Sequence, residues 1–215
     1  MDPVQPRVKR RYDATKRRAA AARTRQAILD AALELFTMRG YSATSMAAIA
    51  ARADVALDTV YASVGRKPEL ARLLIETAIS GSAQAVPADE RDYVQAIRAA
   101  ADAETKIEIY ASAMRRIAGR LAPVLEMIQQ AARAEPELTS LWREIAERRA
   151  ANMHRFAADL ASCGALRVDL DQAADIVWAT NAPELYQLLV GQRGWTPERY
   201  ESFLADTWRR LLLAP

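Results

Sequence analysis

The chain has 215 residues, 51% hydrophobic and 27% charged, with only seven Gly and nine Pro. That composition excludes overall disorder, favours helices throughout, and allows one sizeable core or two modest ones. The formal charge of +3 is unevenly spread: residues 1–25 hold nine Lys/Arg against Asp2 and Asp13, a net of +7 that leaves −4 for residues 26–215, so any attraction for a polyanion is concentrated at the start of the chain. The single cysteine, Cys163, excludes an internal disulfide; with no basic leader running into an apolar stretch and no apolar run long enough to cross a bilayer, a reducing cytoplasm and no membrane role are expected.

Taken in chain order, residues 1–22 are expected to form a basic, disordered arm. Its Arg10, Arg11, Arg17 and Arg18 are candidates for backbone phosphates or a neighbouring minor groove; the alternative is a solubilising tail. Residues 23–67 form the first predicted domain. Arg23 to Arg39 carries Ile28, Leu29, Ala32, Leu33, Leu35 and Phe36 at helical spacing and stops at Gly40, a fitting C-cap. A second helix is predicted from Thr44, read as its cap, through Met46, Ile49, Ala50 and Ala53, with Thr44 and Ser45 also candidates for phosphate contact at its start. Asp54 stands in the turn, where a left-handed residue is needed and Asp tolerates it better than most. A third helix, about Leu57 to Ser63, turns Val60 inward and presents Leu57, Asp58, Thr59 and Tyr61 outward. This is a helix-turn-helix layout with a face for a major groove. Thr59 and Leu57 are suited to base edges. Asp58 could accept from a cytosine amine, but its first-turn place fits helix-dipole stabilisation equally well.

Gly65 closes the third helix, and Lys67, Pro68 and Glu69 open a linker helix over 68–80, the first part of a helical domain over 68–215. Beyond a break at 81–87, amphipathic stretches are predicted at about 89–101, 104–118, 120–134 and 136–162, punctuated by Gly119, Pro123 and Pro136. Two last helices are predicted at 171–191, kinked at Pro183, and at 196–213, where Thr196-Pro197 reads as a cap and first helical position. They carry more apolar surface than one stripe needs. Ile176, Leu185, Leu188, Leu189, Phe203, Leu204, Trp208 and Leu211 are therefore candidates for a subunit interface, the alternative being closure of the monomer core.

Three stretches carry a resemblance to a known family: R-x-x-I-L-x-A-A-L-E-L-F near 25–36, G-Y-x-A-T-S at 40–45 and T-V-Y-A-S-V-G-R-K-P-E-L at 59–70. They resemble the TetR family of bacterial transcriptional regulators, specifically over 23–75. Beyond that only the helical layout and the segments E-L-Y-Q-L-L at 184–189 and G-W-T-P-E-R-Y at 194–200 are similar. The resemblance implies an all-α protein with an N-terminal three-helix DNA-binding domain and a C-terminal bundle for ligand binding and dimerisation. It implies phosphate contacts from Tyr61 and Lys67, a double-stranded DNA operator with two-fold symmetry, a homodimer, an unidentified small-molecule effector, no cofactor, and residence in the bacterial cytoplasm with the nucleoid. An effector pocket would be lined by Tyr110, Met114, Met127, Trp142, Phe156 and Trp178, each of which could equally be plain core. The sequence departs from the family pattern at Asp54, Ala56, Leu57, Asp58, Ala62 and Val64, around the base-reading face.

Enzymatic function has little support, because no metal-ligand spacing, P-loop, nucleophile elbow or Cys/His pair occurs, and the lone His154 reads as solvent-facing. The leading expectation is a repressor released from its operator by a small molecule. A constitutive or architectural DNA-binding factor without an effector is the alternative, and a helical enzyme or carrier with an incidental helix-turn-helix pattern is a third reading.

Overall fold

The computed structural model describes residues 8–82, 86–164 and 166–214, with side chains from residue 15 onward. Its elements are α1 (Val8–Arg39), α2 (Met46–Arg52), α3 (Leu57–Val64), α4 (Lys67–Ser80), a 3₁₀ turn (Ala88–Glu90), α5 (Asp92–Ala99), α6 (Ala103–Ala131), α7 (Pro136–Ala161), α8 (Leu170–Thr180), α9 (Pro183–Tyr186) with a π-helical turn (Gln187–Gln192), and α10 (Pro197–Leu212). No strand occurs among the described residues; one isolated antiparallel bridge joins Leu166 to Leu213. The chain divides into two compact units between Leu74 and Ile75, inside α4.

In the first unit, α1, α2 and α3 pack on one another around Ile28, Leu29, Ala32, Phe36, Ile49 and Val60, all essentially excluded from solvent. α1 starts at Val8, so much of the arm expected to be disordered is helical. No Gly or Pro interrupts residues 8–39, and Ala19 to Ala22 have high helix propensity, so nothing stops the helix from growing back past its apolar stripe. The turn between α2 and α3 needs a left-handed residue and Asp54 supplies it, with φ of 53°. Gly65 follows α3 at φ of 75°, where a Cβ would also come within 3.1 Å of the Glu69 Cβ, so a side chain there is both strained and crowded.

The second unit packs α7 on α8, α10 on α6, and α6 additionally on α5, α7 and α9. Its core joins Ile107, Tyr110, Phe156, Leu160, Tyr200, Leu204 and Trp208. Asp102, Asp169 and Thr196 cap α6, α8 and α10 by accepting from the backbone N–H three residues on. Two predicted helices over 104–134 are one. Pro123 removes a rung of the ladder, yet Ala122, Val124 and Leu125 are buried on either side, and that packing holds the helix through the gap. Gly119 is not a break but a close approach: a Cβ there would lie 3.2 Å from the Tyr186 hydroxyl. Conversely, the kink expected at Pro183 is a full stop. α8 ends at Thr180 with Asn181 as its cap, and Pro183 takes the first position of α9.

Candidate nucleic-acid interface and effector cavity

The first unit exposes polar and aromatic side chains on α3 and at the start of α2. α3 buries Val60 and Val64, which turns Leu57 (39% exposed), Asp58, Tyr61 (45% exposed) and Ala62 to solvent, with Thr59 half-buried beside them. Ser45, exposed, caps α2 by accepting from the Ala48 N–H at 3.1 Å. Thr44 is not the cap. It is 1% exposed, and its Oγ1 donates to the Leu35 carbonyl at 3.2 Å and the Gly40 carbonyl at 2.9 Å, fastening the end of α1 to the start of α2. A hydroxyl turned inward onto two carbonyls is not presented to a phosphate, so of the Thr44-Ser45 pair the structure leaves Ser45 at the surface. The sequence could not separate the two, since either hydroxyl satisfies the N-cap preference.

Lys67 begins α4, where the helix dipole disfavours a cation. Its ammonium lies 4.2 Å from the Tyr41 ring centroid and 6.0 Å from that of Phe36, so aromatic faces hold it at the end of the head. Arg52, at the end of α2, pairs with Glu34 at 2.6 Å. Arg17 and Arg18 are exposed on α1; the side chains of Arg10 and Arg11 lie outside the described residues.

The second unit holds a small cavity of about 70 Å³ between α5, α6, α7 and the α8–α9 corner. Asn181 lines it. Its Nδ2 donates to the Tyr110 hydroxyl at 3.0 Å and lies 3.4 Å and 3.3 Å from the sulfurs of Met114 and Met153. Its Oδ1 accepts from Arg149 Nη2 at 3.1 Å, and the backbone carbonyls of Asn181 and Trp178 lie near the same nitrogen. Tyr110 donates to the Met153 sulfur at 3.3 Å, and burial pushes its phenol well above the usual tyrosine range, as it does that of Tyr200. Burial likewise lowers the Arg149 guanidinium from its ordinary value. A larger cleft of about 340 Å³ adjoins, sharing Tyr93, Tyr110 and Asn152 and reaching Phe156.

Of the six expected pocket residues, then, Tyr110, Met114 and Phe156 line these spaces. Met127 is buried away from both. Trp142 lines a separate groove with Leu125 and Leu188, and Trp178 is exposed with its ring centroid 5.3 Å from the Arg149 guanidinium. Arg91, Tyr93, Arg149, Asn152, Asn181 and Tyr200 were not expected. Asn181 carries a readable signal, as an Asn two residues before a Pro marks a helix end. Arg91 and Arg149 carry none, being sequence-indistinguishable from surface arginines.

The expected interface residues also divide. Leu204 and Trp208 are fully buried in the core of their own chain, where Trp208 Nε1 donates to Thr180 Oγ1 at 2.7 Å, so they are corrected from interface to core. Ile176, Leu185, Leu189 and Phe203 are half-buried against that core, and Leu188 and Leu211 stand out at 49% and 44% exposed.

Residues 28–72 match the model of the bacterial regulatory proteins of the tetR family. By this head the chain carries a DNA-binding domain of the TetR type. It is a transcription regulator with a DNA-binding helix-turn-helix domain. TetR-type structures also share the fold of the larger part of the chain. The SmeT–triclosan complex matches at 20% identity over 89% of this chain and 92% of that one, TM-score 0.68. A regulator from Saccharomonospora viridis in complex with choline matches at 17% over 89% and 98%, TM-score 0.65. NalD, the secondary repressor of the MexAB-OprM multidrug efflux pump in Pseudomonas aeruginosa, matches at 21% over 88% and 96%, TM-score 0.67. No curated protein matches the chain in sequence. Among the described residues no helix is long and apolar enough to cross a membrane and no His/Cys/Asp/Glu group is arranged to hold a metal ion.

Proposed function

We propose that this TetR-type regulator is a homodimeric repressor that binds a two-fold symmetric operator and leaves it when a small molecule enters the second unit. The observation that carries the reading is the exposed face of α3. Leu57, Asp58 and Tyr61 are exposed on α3 with Thr59 half-buried, Ser45 is exposed at the capped start of α2, and Lys67 opens α4. α3 enters the major groove, Leu57 and Thr59 meet base edges, and Ser45, Tyr61 and Lys67 hold phosphates. The basic start of α1, including Arg10, Arg11, Arg17 and Arg18, adds sequence-independent attraction. Asp58 serves the α3 dipole first.

Release is supported by a chain of contacts within the second unit. Arg91 lines the cavity, its Nη2 lies 3.7 Å from Glu76 on the last turns of α4, and Arg148 of α7 pairs with the same carboxylate. Arg120 of α6 donates to the Ala78 carbonyl at 2.8 Å. A ligand that displaces Arg91 therefore acts on the helix to which Lys67 belongs. Two readers joined in a dimer must fit grooves about 34–36 Å apart, and a ligand shifts them off DNA by its differential affinity for the two arrangements. Triclosan and choline, bound by two structural neighbours, are first members of a trial panel.

The test is binding of the full-length protein to a duplex it selects, measured by fluorescence anisotropy against a panel of small molecules. A compound that raises the melting temperature of the free protein and dissociates the complex is the expected outcome. Stable binding to DNA with no such compound would instead favour a constitutive or architectural factor.

A further inference from the structure

The donors around the Asn181 cavity outnumber its good acceptors. The Tyr110 hydroxyl and the Asn181 amide direct protons at the thioethers of Met114 and Met153, which are weak acceptors. Arg149 uses only Nη2, on two backbone carbonyls and the Asn181 amide oxygen, and among the described residues no carboxylate pairs with it. The field of Glu184 reaches it, but no ion pair forms; that carboxylate accepts from Gln129 instead. The cavity lining includes Arg91 and Arg149 and not one Asp or Glu. Its remaining walls are apolar or aromatic, among them Ile79, Ile117, Leu121 and Tyr93.

Resting on the effector reading above, we propose that the cavity takes an amphipathic organic anion: one carboxylate, or a group of like charge and shape, on a compact apolar body, with Arg149 as its counter-charge. The carboxylate accepts from the free edge of the Arg149 guanidinium and from the Tyr110 and Asn181 donors, exchanging thioether contacts for charge-assisted bonds. The apolar body lies toward Ile117 and Leu121. Free space of about 70 Å³ is less than a ring needs, so the body displaces Met114 and Met153, the most adaptable side chains in the lining. A tyrosine-walled site would otherwise suit a quaternary ammonium through cation–π contacts. Here the unpaired Arg149 charge opposes one, which selects against the class of ligand bound by the choline complex among the structural neighbours.

The experiment uses the full-length protein and three probes sharing one body: 4-ethylbenzoate, 4-ethylbenzyl alcohol and (4-ethylbenzyl)trimethylammonium, titrated calorimetrically. The carboxylate is expected to bind at least tenfold more tightly than the alcohol, and the ammonium not measurably. Arg149→Met removes the preference for the carboxylate while the alcohol changes less than threefold; Arg149→Lys, which keeps the charge if the methionine variant misfolds, retains it. Equal binding of carboxylate and alcohol, tighter binding of the ammonium, or binding of none of the three overturns the assignment. Dissociation of the DNA complex is read in parallel. Carboxylate binding that depends on Arg149 but leaves DNA bound upholds the anion site and defeats the effector reading. Release by the ammonium or alcohol alone does the reverse.

Discussion

Replacing Trp208 by Phe separates a core residue from an interface residue. Trp208 is fully buried, 5.3 Å from Tyr110 and 6.1 Å from Phe156 between ring centroids, and its indole N–H donates to Thr180 at 2.7 Å. Phe keeps the six-membered ring but loses that hydrogen bond, about 1 kcal/mol net, and leaves unfilled volume costing roughly 1–2 kcal/mol more. Thr180 still donates to the Ile176 carbonyl at 2.6 Å, so no donor is orphaned. A loss of about 2–3 kcal/mol lowers the melting temperature of a chain this long by about 4–12 °C. The assay is thermal unfolding by circular dichroism of wild type and variant over a hundredfold range of protein concentration. A core residue lowers the transition by the same amount at every concentration, whereas an interface residue lowers it most in dilute protein. Leu211→Ser, at an exposed position, is the reference and should cost the fold under about 0.5 kcal/mol. A Trp208→Phe protein that melts as wild type when concentrated and falls apart only on dilution would refute the placement of Trp208 in its own core.

The head offers a paired test: Thr44→Val removes a buried hydroxyl from two carbonyls and should lower the native-state hydrogen-exchange protection of α1 and α2 by about 1–2 kcal/mol. Ser45→Ala should cost about 1 kcal/mol, localised to the first turn of α2. Lys67→Ala is expected to weaken binding to all DNA sequences and reduce the slope of log affinity against log salt by about 1; an unchanged slope would count against a phosphate contact. At high pH the buried phenols of Tyr110 and Tyr200 stay protonated while their unfolded counterparts ionise near pH 10, so the unfolded state binds fewer protons and stability falls as pH rises above that value. Urea titrations between pH 9 and 11.5 should show a steeper decline for wild type than for Tyr110→Phe.

The head was the most legible part of the chain because each of its elements is written locally. Apolar spacing in α1, the left-handed Asp54, and Gly65 with Pro68 after α3 mark its turns without reference to anything distant. Burial at a junction was less legible, and Thr44 shows why: its hydroxyl is committed to Leu35 and Gly40, a tertiary fact that the N-cap preference of Thr and Ser cannot express. The same holds for α6, where Gly119 and Pro123 look like punctuation until Tyr186 and the flanking buried residues are in place. The cavity was least legible. Aromatic and Met positions identify Tyr110 and Met114, but nothing local separates Arg149 and Arg148 from the other arginines of α7, and what they face, Asn181 and Glu76, lies 32 and 72 residues away. Leu204 and Trp208 read equally as interface or core in the sequence, because an amphipathic stripe does not say which neighbour covers it.

The most direct test of α3 as a DNA reader is selection of duplexes from a random pool by the full-length protein, repeated with Tyr61→Ala. Wild type is expected to enrich a two-fold symmetric site whose half-sites are separated by about one helical turn or a multiple of it, and the variant to bind that site more weakly. Enrichment of no sequence over scrambled competitor, even at low salt, would contradict the account.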